Sequence, residues 1–511
     1  MIDINKAKQK ILDLAIRGKL TKQLKSDGNA ADLLVEIQKE KEKLIKDKKI
    51  RNDANVISDD IEEPFEIPEN WVWCKLGNIG RWGSGATPLT SNADYYNNGT
   101  IPWILTGDLN DDYISNASHY ITEKALCDCS LELREKGSVL IAMYGATIGR
   151  LAILKIEAAM NQACCACTVY SGINNKYLFL YLLFNKKRFI SEGSGGAQPN
   201  ISKEKIIKTI IPLPTFAEQN RIVEKVDKLF EILDKIDESQ KKYQKDKEIL
   251  KSKIIEAGIR GKLTKQLKTD GNASDLLDEI RKEKEKLIKE GKIKRDKKET
   301  YICKNPKDNL YYEKYQDGTE KCIQEELPFE IPANWVWVKF NNIVNYHMGK
   351  TPPRADKKYW KDAKYNWITI ADMIPNGIIL DTKQKVNDYS VNNIFNKRIS
   401  KKGTLIMSFK LTVGRVSILG NDAYHNEAII SIYPYCDTNS IFRNYLFAFL
   451  PIIIVYGDVK TAIKGNTLNS VSLNNLLLPL PPLAEQERIV KIMEVVLNKL
   501  GNDSNKGDYE R

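Results

Sequence analysis

The sequence IRGKLTKQLKSDGNAADLLVEIQKEKEKLIKDKKI, residues 16–50, decides the organisation of this chain of 511 residues because it occurs twice. The second copy, IRGKLTKQLKTDGNASDLLDEIRKEKEKLIKEGKI at residues 259–293, aligns without gaps at an offset of 243, and 29 of the 35 positions are identical. Self-similarity at a fixed offset is typical of a duplicated architecture. We therefore expect two tandem halves.

Two further pairs of segments support the duplication. PFEIPENWVW at residues 64–73 matches PFEIPANWVW at 328–337, and IPLPTFAEQNRIV from residue 211 matches LPLPPLAEQERIV from residue 478. The central helical stretch therefore resembles the C-terminal segment followed by the N-terminal segment. This circular order predicts that the two chain ends pack together and create a pseudo-two-fold axis.

The repeats divide the chain into five predicted segments. We expect an N-terminal helical segment at 1–50, a first globule at 51–215, a central helical spacer at 216–300, a second globule at 301–482 and a C-terminal helix at 483–511. Alternating apolar stretches in the globules predict strands, and longer apolar runs predict short helices. The predicted fold class is α+β, with two mixed α/β domains separated by long antiparallel coiled-coil helices.

A heptad seam begins at residue 222, with apolar residues at alternating steps of four and three. The preceding TFAE at 215–218 has the pattern of a capping box, and Gly261 predicts the end of a helix of about 40 residues. The EKEKLIK element of each repeat differs less between the copies than the globules do, which indicates that both copies dock the same kind of partner. The candidate partner-binding residues of these helices are Ile222, Val226, Leu229, Leu233, Ile236, Leu250, Ile254, Leu33, Ile37, Leu276 and Ile280.

Composition narrows the class of protein. Apolar residues make up 42% of the chain, too many for a disordered chain, and the apolar runs are too short or too interrupted for a bilayer span. Met1 is followed by Asp3 and three lysines without an apolar run, so we expect no secretory signal and a cytoplasmic location. The formal net charge is +12, and residues 325–482 carry +6 against −1 for residues 61–215. The second globule and the central helices are therefore the better electrostatic candidates for binding DNA.

Enzyme signatures are missing from the sequence. GKT at 349–351 lacks the earlier glycine of a phosphate-binding loop, since position 344 is Val. Cys164, Cys165 and Cys167 align with isoleucines of the second globule, which predicts buried strand residues rather than metal ligands. One alternative is a nuclease with an acidic site among Asp108, Asp111 and Asp112.

These motifs together resemble the specificity (S) subunit of Type I restriction-modification systems. The likeness rests on the circular repeat, the PLPxxAEQxRIV and RGKL segments, the TxGR strands at 147–150 and 412–415 and the NWVW starts. It implies two target recognition domains that each read one half of a bipartite, asymmetric sequence in double-stranded DNA. It also implies partners: two modification subunits with adenine N6-methyltransferase activity, and restriction subunits. The chain itself would be non-catalytic and bind no cofactor, while the partner subunits use S-adenosylmethionine, ATP and Mg.

By position in the family pattern, DNA contacts are expected from loops beside the shared framework, where the globules differ. For Arg150 and Arg415 a hydrogen bond within their own domain is an equally good interpretation. Trp71, Trp73, Trp335 and Trp337 recur unchanged and are predicted to lie in the core. A coiled-coil scaffold without DNA readout is the alternative function. The candidate DNA-binding residues are Arg81, Ser84, Thr87, Tyr95, Tyr144, Arg150, Gln198 and Asn200 in the first globule, and Lys350, Thr351, Arg354, Lys357, Tyr359, Lys410, Arg415, Lys464 and Asn466 in the second.

Overall fold

The computed structural model describes residues 1–48, 50, 62–192, 200–296, 298–410, 412–458 and 470–501. The chain divides into two compact units, Met1–Lys242 and Tyr243–Arg511. The division falls within one helix of 44 residues, Phe216–Ile259. The helix confirms the length predicted from the heptad seam and from Gly261. The finer segment boundaries at 50, 215, 300 and 482 remain predictions.

The first unit contains six helices within its described residues, the last of which continues into the second unit. They are α1 (Ile4–Ile16), α2 (Ala30–Lys46), α3 (Glu123–Asp128), α4 (Asn175–Ser191), α5 (Lys203–Lys208) and α6 (Phe216–Ile259). Its strands are β1 (Val72–Lys75), β2 (Gly80–Ser84), β3 (Ile101–Ile104), β4 (Asp112–Ile114), β5 (His119–Ile121), β6 (Val139–Ala142), β7 (Leu151–Leu154), β8 (Ala159–Met160), β9 (Cys164–Val169) and β10 (Ile210–Leu213).

These strands form a five-stranded sheet in the order β2-β9-β6-β7-β4, a three-stranded sheet β5-β3-β8 and a two-stranded ladder β1-β10. The ladder joins the NWVW segment to the PLP segment, with Trp73 opposite Pro212. The start and the end of the globule are therefore hydrogen-bonded to each other.

The second unit repeats this arrangement. Its helices after α6 are α7 (Ala273–Lys289), α8 (Phe340–Ile343), α9 (Asp388–Asn393), α10 (Ile441–Asp458), α11 (Ser470–Asn474) and α12 (Leu483–Gly501). Its strands are β11 (Tyr301–Lys304), β12 (Tyr311–Lys314), β13 (Glu320–Cys322), β14 (Val336–Lys339), β15 (Val344–Met348), β16 (Tyr365–Ile368), β17 (Gly377–Ile379), β18 (Gln384–Val386), β19 (Leu405–Ser408), β20 (Val416–Leu419), β21 (Ala423–His425), β22 (Ile429–Pro434) and β23 (Leu477–Leu480).

The sheets of the second unit match those of the first strand for strand: β15-β22-β19-β20-β17, β18-β16-β21 and β14-β23. One sheet has no counterpart among the described residues of the first unit, the antiparallel meander β11-β12-β13. It accounts for the rise of the sequence offset from 243 before it to 264 after it. The buried ammonium of Lys339 fastens the meander to the globule, donating to Thr300 Oγ1 at 2.7 Å and to the Glu313 carboxylate.

The predicted core positions are confirmed. Trp71, Trp73, Trp335 and Trp337 are at most 7% exposed. Cys164, Cys165 and Cys167 lie on β9 and are fully buried, and burial raises the pKa of the Cys165 thiol to about 12. Their role is packing in the central strands of the sheet.

The capping box predicted at residues 215–218 is wrong. The Glu218 carboxylate is fully buried and accepts hydrogen bonds from Trp71 Nε1 at 2.9 Å, Thr21 Oγ1 at 3.1 Å and Gln23 Nε2 at 3.0 Å. Its oxygens are thus occupied by donors from two distant segments. The hydroxyl of Thr215 is itself buried without a hydrogen-bond partner.

The same network occurs in the second unit. The fully buried Glu485 carboxylate accepts from Trp335 Nε1 at 2.9 Å, Thr264 Oγ1 at 2.8 Å and Gln266 Nε2 at 2.9 Å. The recurring TKQ, NWVW and AEQ motifs therefore meet at one carboxylate in each unit. Part of the sequence identity between the copies follows from this internal packing.

An ion pair next to this carboxylate is duplicated as well. Arg488 donates to both oxygens of Asp270 at 2.6 Å, and Arg221 donates to both oxygens of Asp27. The hydrogen bonds from Arg488 hold the pKa of Asp270 below its ordinary value of 3.8, against the opposing effect of burial. The pair ties the loop after each RGKL segment to the helix that begins with AEQ.

The helices that flank each globule contact each other, and in the first unit they run antiparallel. In the first unit, Lys8 of α1 pairs with Asp234 of α6 at 2.5 Å, and the Ile2 main chain is hydrogen-bonded to the Gln240 amide. In the second unit, the C-terminal part of α6 packs on α12, where a Cβ at Gly258 would lie 3.2 Å from Met493 Sδ. The helix before each globule thus pairs with the helix after it. The pairing of the two chain ends with each other stays a prediction.

The most apolar helix of the chain is α10. Among the described residues it is the one helix long and apolar enough to cross a bilayer by length and composition alone, over Thr438–Val455. Phe442, Tyr445 and Phe449 from this helix are at most 1% exposed in the core of the second unit. Its apolar composition is therefore used for packing within the protein.

A close backbone approach fixes the end of the first strand of each five-stranded sheet. A Cβ atom at Gly85 would lie 1.7 Å from the Met160 carbonyl oxygen, and one at Gly349 would lie 2.0 Å from that of His425. Such distances require glycine, because the obstacle is backbone rather than a movable side chain.

Replacing Glu218, which accepts hydrogen bonds from Thr21, Gln23 and Trp71, should destabilise the first unit. We expect Glu218→Gln to lower the free energy of unfolding by about 1–3 kcal/mol, because an amide group replaces one carboxylate oxygen and leaves a buried donor without an acceptor. Chemical denaturation followed by circular dichroism measures this. The control is Glu224→Gln, an exposed residue of the same helix; equal stability of the two variants would contradict the assignment.

The Asp270–Arg488 pair should make stability depend on pH. A carboxyl with a lowered folded-state pKa contributes stability above its unfolded value of 3.8, and the contribution disappears as the pH falls through the folded pKa. We expect Asp270→Asn to cost about 1.5–3 kcal/mol at pH 7 and the difference from wild type to shrink below pH 3.8. The exposed Asp246→Asn is the control, and a gap independent of pH would refute the interpretation.

Substitution of Gly85, whose Cα lies close to the Met160 carbonyl oxygen, should destabilise the first unit. We expect Gly85→Ala to lower the free energy of unfolding by about 1–3 kcal/mol through overpacking. Gly107→Ala is the matched control, because a Cβ at Gly107 meets nothing within 4 Å. Denaturation of both variants gives the comparison, and a tolerated Gly85→Ala would show that the strand end can move.

Candidate nucleic-acid interface

One end of the five-stranded sheet of the first unit gathers several predicted residues. Ser84 ends β2 opposite Cys165, Met143 N donates to Ala163 O at 2.8 Å, and Tyr144 forms a bridge with Asn200. Strands β2 and β6 end here while β7 and β9 begin here, so their loops meet. We call this group the first sheet end: Ser84, Thr87, Tyr144, Arg150, Gln162 and Asn200.

The second unit builds the equivalent surface. Lys350 N donates to His425 O at 2.9 Å, and Phe409 N donates to Ala428 O at 3.0 Å. These bonds bring together the loop after β15, the loop after β19 and the turn before β22. We call this group the second sheet end: Lys350, Thr351, Lys410, Arg415 and Glu427.

Two residues of these surfaces were missed by the sequence analysis, Gln162 and Glu427. Thr87 Oγ1 is hydrogen-bonded to the side-chain oxygen of Gln162, and Thr351 Oγ1 is hydrogen-bonded to the Glu427 carboxylate. The two pairs occupy equivalent places in the two units. When β9 is aligned with β22 at an offset of 265, Gln162 stands opposite Glu427. This difference between the copies can therefore be found in the sequence.

Charge also differs between the two surfaces. The Lys410 ammonium lies 5.4 Å from the Phe409 ring centroid, and Lys350 is exposed. The hydrogen bond from Thr351 lowers the pKa of the Glu427 carboxyl, and the positive charges of Lys410 and Arg354 lower it further. The second sheet end therefore combines an ionised acceptor with cationic neighbours.

Several predicted residues lie outside the sheet ends and have partners in their own domain. Arg81 pairs with Glu132 at 3.4 Å and with Glu135 at 3.3 Å. Tyr95 OH donates to Asp128 at 3.4 Å. These two residues are part of the packing between β2, α3 and the loop that follows, so a DNA contact would have to compete with these bonds.

The predicted residues between β15 and β16 lie beside the three-stranded sheet. The Arg354 guanidinium lies 5.3 Å from the Trp367 ring centroid, and the Tyr359 ring lies 5.1 Å from that of Tyr389. Lys357 is exposed. Arg354 therefore lies on the same side of the globule as Lys350, whose carbonyl accepts from Trp367 Nε1 at 3.1 Å.

The two TxGR arginines differ in their surroundings. Arg415 Nη1 donates to the Ile370 carbonyl at 3.1 Å, which is the intradomain hydrogen bond that the sequence left open. Arg150 is exposed at the start of β7. Gln198, Lys464 and Asn466 lie outside the described residues.

The apolar residues predicted to bind partners lie in the cores of their own units on α2 and α7, and on α6 this holds for Ile222, Val226 and Ile254. Ile37 and Ile280 are at most 1% exposed, Leu276 is 8% exposed, and Leu33 packs against the same core as Ile37. On α6, Ile222 and Val226 are buried, Leu229, Leu233, Ile236 and Ile254 are half-buried, and Leu250 is exposed. A partner of α2 or α7 would therefore meet the charged face of the helix.

Two of the three aspartates of the nuclease alternative, Asp108 and Asp111, accept hydrogen bonds from the main chain. Asp108 Oδ2 accepts from Leu105 N at 2.8 Å, and Asp111 Oδ1 accepts from Leu151 N at 3.0 Å while its other oxygen pairs with Lys186. Asp372, the counterpart of Asp108, accepts from Thr369 N at 2.9 Å. Asp108 and Asp372 therefore close the same loop in the two units.

Behind the sheet ends, the two units fill the same space with different side chains. In the first unit the Arg134 guanidinium covers Gly83, where a Cβ would lie 1.9 Å from Nη2. In the second unit His347 and Ser400 replace these residues, and the neighbouring His425 Nε2 lies 2.6 Å from Ser431 Oγ. Burial lowers the pKa of His425 to about 4, so this imidazole is neutral at pH 7.

Comparison with known proteins identifies the domains. A family model described as Type I restriction modification DNA specificity domain matches residues 68–244 and 332–507. The chain is 23% identical to the Type I restriction enzyme MjaIX specificity subunit of Methanocaldococcus jannaschii, over 86% of this chain and 89% of that protein. It is 25% identical to the Type I restriction enzyme EcoAI specificity subunit of Escherichia coli, over 97% and 90% of the two chains.

Solved structures share the fold. The HsdS subunit from Thermoanaerobacter tengcongensis aligns with a TM-score of 0.52 and 16% identity, over 88% of this chain and 94% of that chain. A chain from a study of complex assembly and conformational transition of the type I R-M system aligns with a TM-score of 0.56 and 16% identity, over 86% and 93%. With one specificity domain in each half and more than half of its length matched, the chain belongs to the family of Type I restriction-modification DNA specificity subunits.

Proposed function

We propose that each unit reads one half of a bipartite, asymmetric target in double-stranded DNA, through its sheet end. The observation that carries this proposal is the combination of a shared backbone frame with different exposed polar residues at the two sheet ends. Two readers built on one frame can recognise unlike half-sites only if the side chains that meet the bases differ.

Phosphate binding would be shared unequally between the units. Lys350 and Lys410 belong to the second sheet end and Arg354 lies near its Glu427, while residues 325–482 carry a net charge of +6 against −1 for residues 61–215. Phosphate contacts supply affinity that depends on salt concentration, while base contacts supply specificity. The second unit would thus contribute more of the salt-dependent affinity.

Catalysis would come from other chains. We propose that two modification subunits, with adenine N6-methyltransferase activity that uses S-adenosylmethionine, dock on the charged faces of α2 and α7, and that restriction subunits using ATP and Mg complete a cytoplasmic complex. Support comes from exposed charges that the internal packing does not require but that are identical in both copies. These matched pairs are Asp32 and Asp275, Glu36 and Glu279, Lys39 and Lys282, Lys43 and Lys286, and Lys46 and Lys289.

The test is to co-express the full chain with a modification subunit from the same genome and to map adenine methylation across that genome. We expect one split motif, with two short unlike half-sites and a fixed gap. A stable complex without a split motif would favour the scaffold alternative over DNA reading.

Docking is tested in the same preparation by charge reversal. Lys39→Glu combined with Lys282→Glu should reduce co-purification of the modification subunit, because both matched faces lose a cation. Lys307→Glu is the control: it is an exposed lysine in the loop between β11 and β12, a segment that is not duplicated. Equal co-purification of both variants would place docking elsewhere.

A further inference from the structure

The turn that precedes β9 in the first unit has the same hydrogen bonds as the turn that precedes β22 in the second unit. Asn161 N donates to Ile104 O at 3.0 Å, and Asn426 N donates to Ile368 O at 3.0 Å. Each turn closes with a second hydrogen bond, from Cys164 N to Asn161 O at 3.1 Å and from Ile429 N to Asn426 O at 3.2 Å. The residue after the asparagine therefore has the same backbone position in both units.

That residue is Gln162 in the first unit and Glu427 in the second, and both are exposed. Each is held by the hydroxyl of an equivalent threonine, Thr87 or Thr351, on the loop after β2 or β15. Gly85 and Gly349, which allow this loop to lie against the turn because they have no Cβ, are also equivalent. The threonine hydroxyl positions one oxygen of the terminal amide or carboxylate of an exposed residue, and such positioning preorganises that group for recognition.

The chemical difference between the two residues is the hydrogen-bonding pattern. Glutamine offers an acceptor and a donor, which matches the N6 amino group and N7 of adenine in the major groove. An ionised glutamate offers acceptors only, which matches the N4 amino group of cytosine and opposes the acceptors of guanine O6 and thymine O4.

The surroundings of Glu427 favour the ionised form of its carboxylate. Lys410 and Arg354 are close enough to favour its ionised form, as the hydrogen bond from Thr351 does. An unpaired carboxylate facing a base acceptor is penalised, so the residue discriminates by repulsion as well as by attraction.

We propose that Gln162 and Glu427 are specificity-determining residues at equivalent positions, with Glu427 selecting cytosine in one half-site and Gln162 selecting adenine in the other. This inference rests on the proposed function, because it names which side chains of the sheet ends read bases. Among the differences between the two sheet ends, it assigns base selection to one amide-to-carboxylate change on a common frame.

Reciprocal substitution provides the test. The complex of the full chain with its modification subunit is prepared with Glu427→Gln and, separately, with Gln162→Glu, and adenine methylation is mapped as for wild type. We expect Glu427→Gln to shift one position of one half-site from cytosine towards adenine by roughly five-fold or more, and Gln162→Glu to make the opposite shift in the other half-site. The remaining positions should keep their preferences.

The control is Glu320→Gln, which makes the same chemical change at an exposed residue of β13, away from the sheet ends. It should leave both half-sites unchanged. Because Gln162 and Glu427 are exposed, the variants should keep the wild-type melting temperature, which is measured on the same preparations.

The outcomes separate this inference from the proposed function. A wild-type split motif that both variants reproduce with unchanged base preferences would overturn the role of Gln162 and Glu427 while leaving the two-reader function standing. Loss of methylation at all sites without a change of preference would assign these residues to affinity instead and would also overturn it. Absence of any split motif for the wild-type complex would remove the proposed function and this inference together.

Discussion

The buried carboxylates of Glu218 and Glu485 are the interactions on which the rest of each unit depends. Each carboxylate lies on the helix that follows the globule. It accepts hydrogen bonds at 2.8–3.1 Å from the loop after α1 or α6 and from the tryptophan before strand β1 or β14. A fully buried carboxylate is tolerated only when such donors are supplied together. The three motifs that recur in the sequence are therefore one structural feature, and the globule begins and ends at a fixed place relative to its helices.

This anchoring explains why the globules can diverge. The frame is held by main-chain ladders, by glycine contacts such as that of Gly85 and by the buried carboxylate, none of which depends on the side chains of the sheet-end loops. Buried space behind the sheet ends is filled by Arg134 over Gly83 in one unit and by His347 and Ser400 in the other. Side chains can change in compensating sets while strand order and register stay the same.

Identity between the two copies of the repeat has two different physical sources. Asp27 and Asp270 are identical because each is buried against an arginine of its own unit. Lys39 and Lys282 are identical although they are exposed, where packing places little demand on residue type. Only the second kind of identity argues for an external partner, and it lies on the charged faces of α2 and α7 rather than on the apolar residues that periodicity singled out.

The order of residues was enough to predict the duplication, the two α/β globules, the long helix and the burial of Trp71, Trp335 and the β9 cysteines, because repeats and apolar patterns can be recognised along the chain. It also identified Ser84, Thr87, Lys350 and Thr351 as candidate site residues, but not Gln162 or Glu427. The folded structure was needed to show that Glu218 bonds Trp71 instead of capping its own helix and that Arg415 bonds its own domain. It also brought Gln162 next to Thr87 across 75 residues of chain. Such contacts depend on strand pairing between distant segments, which no local pattern of residues encodes.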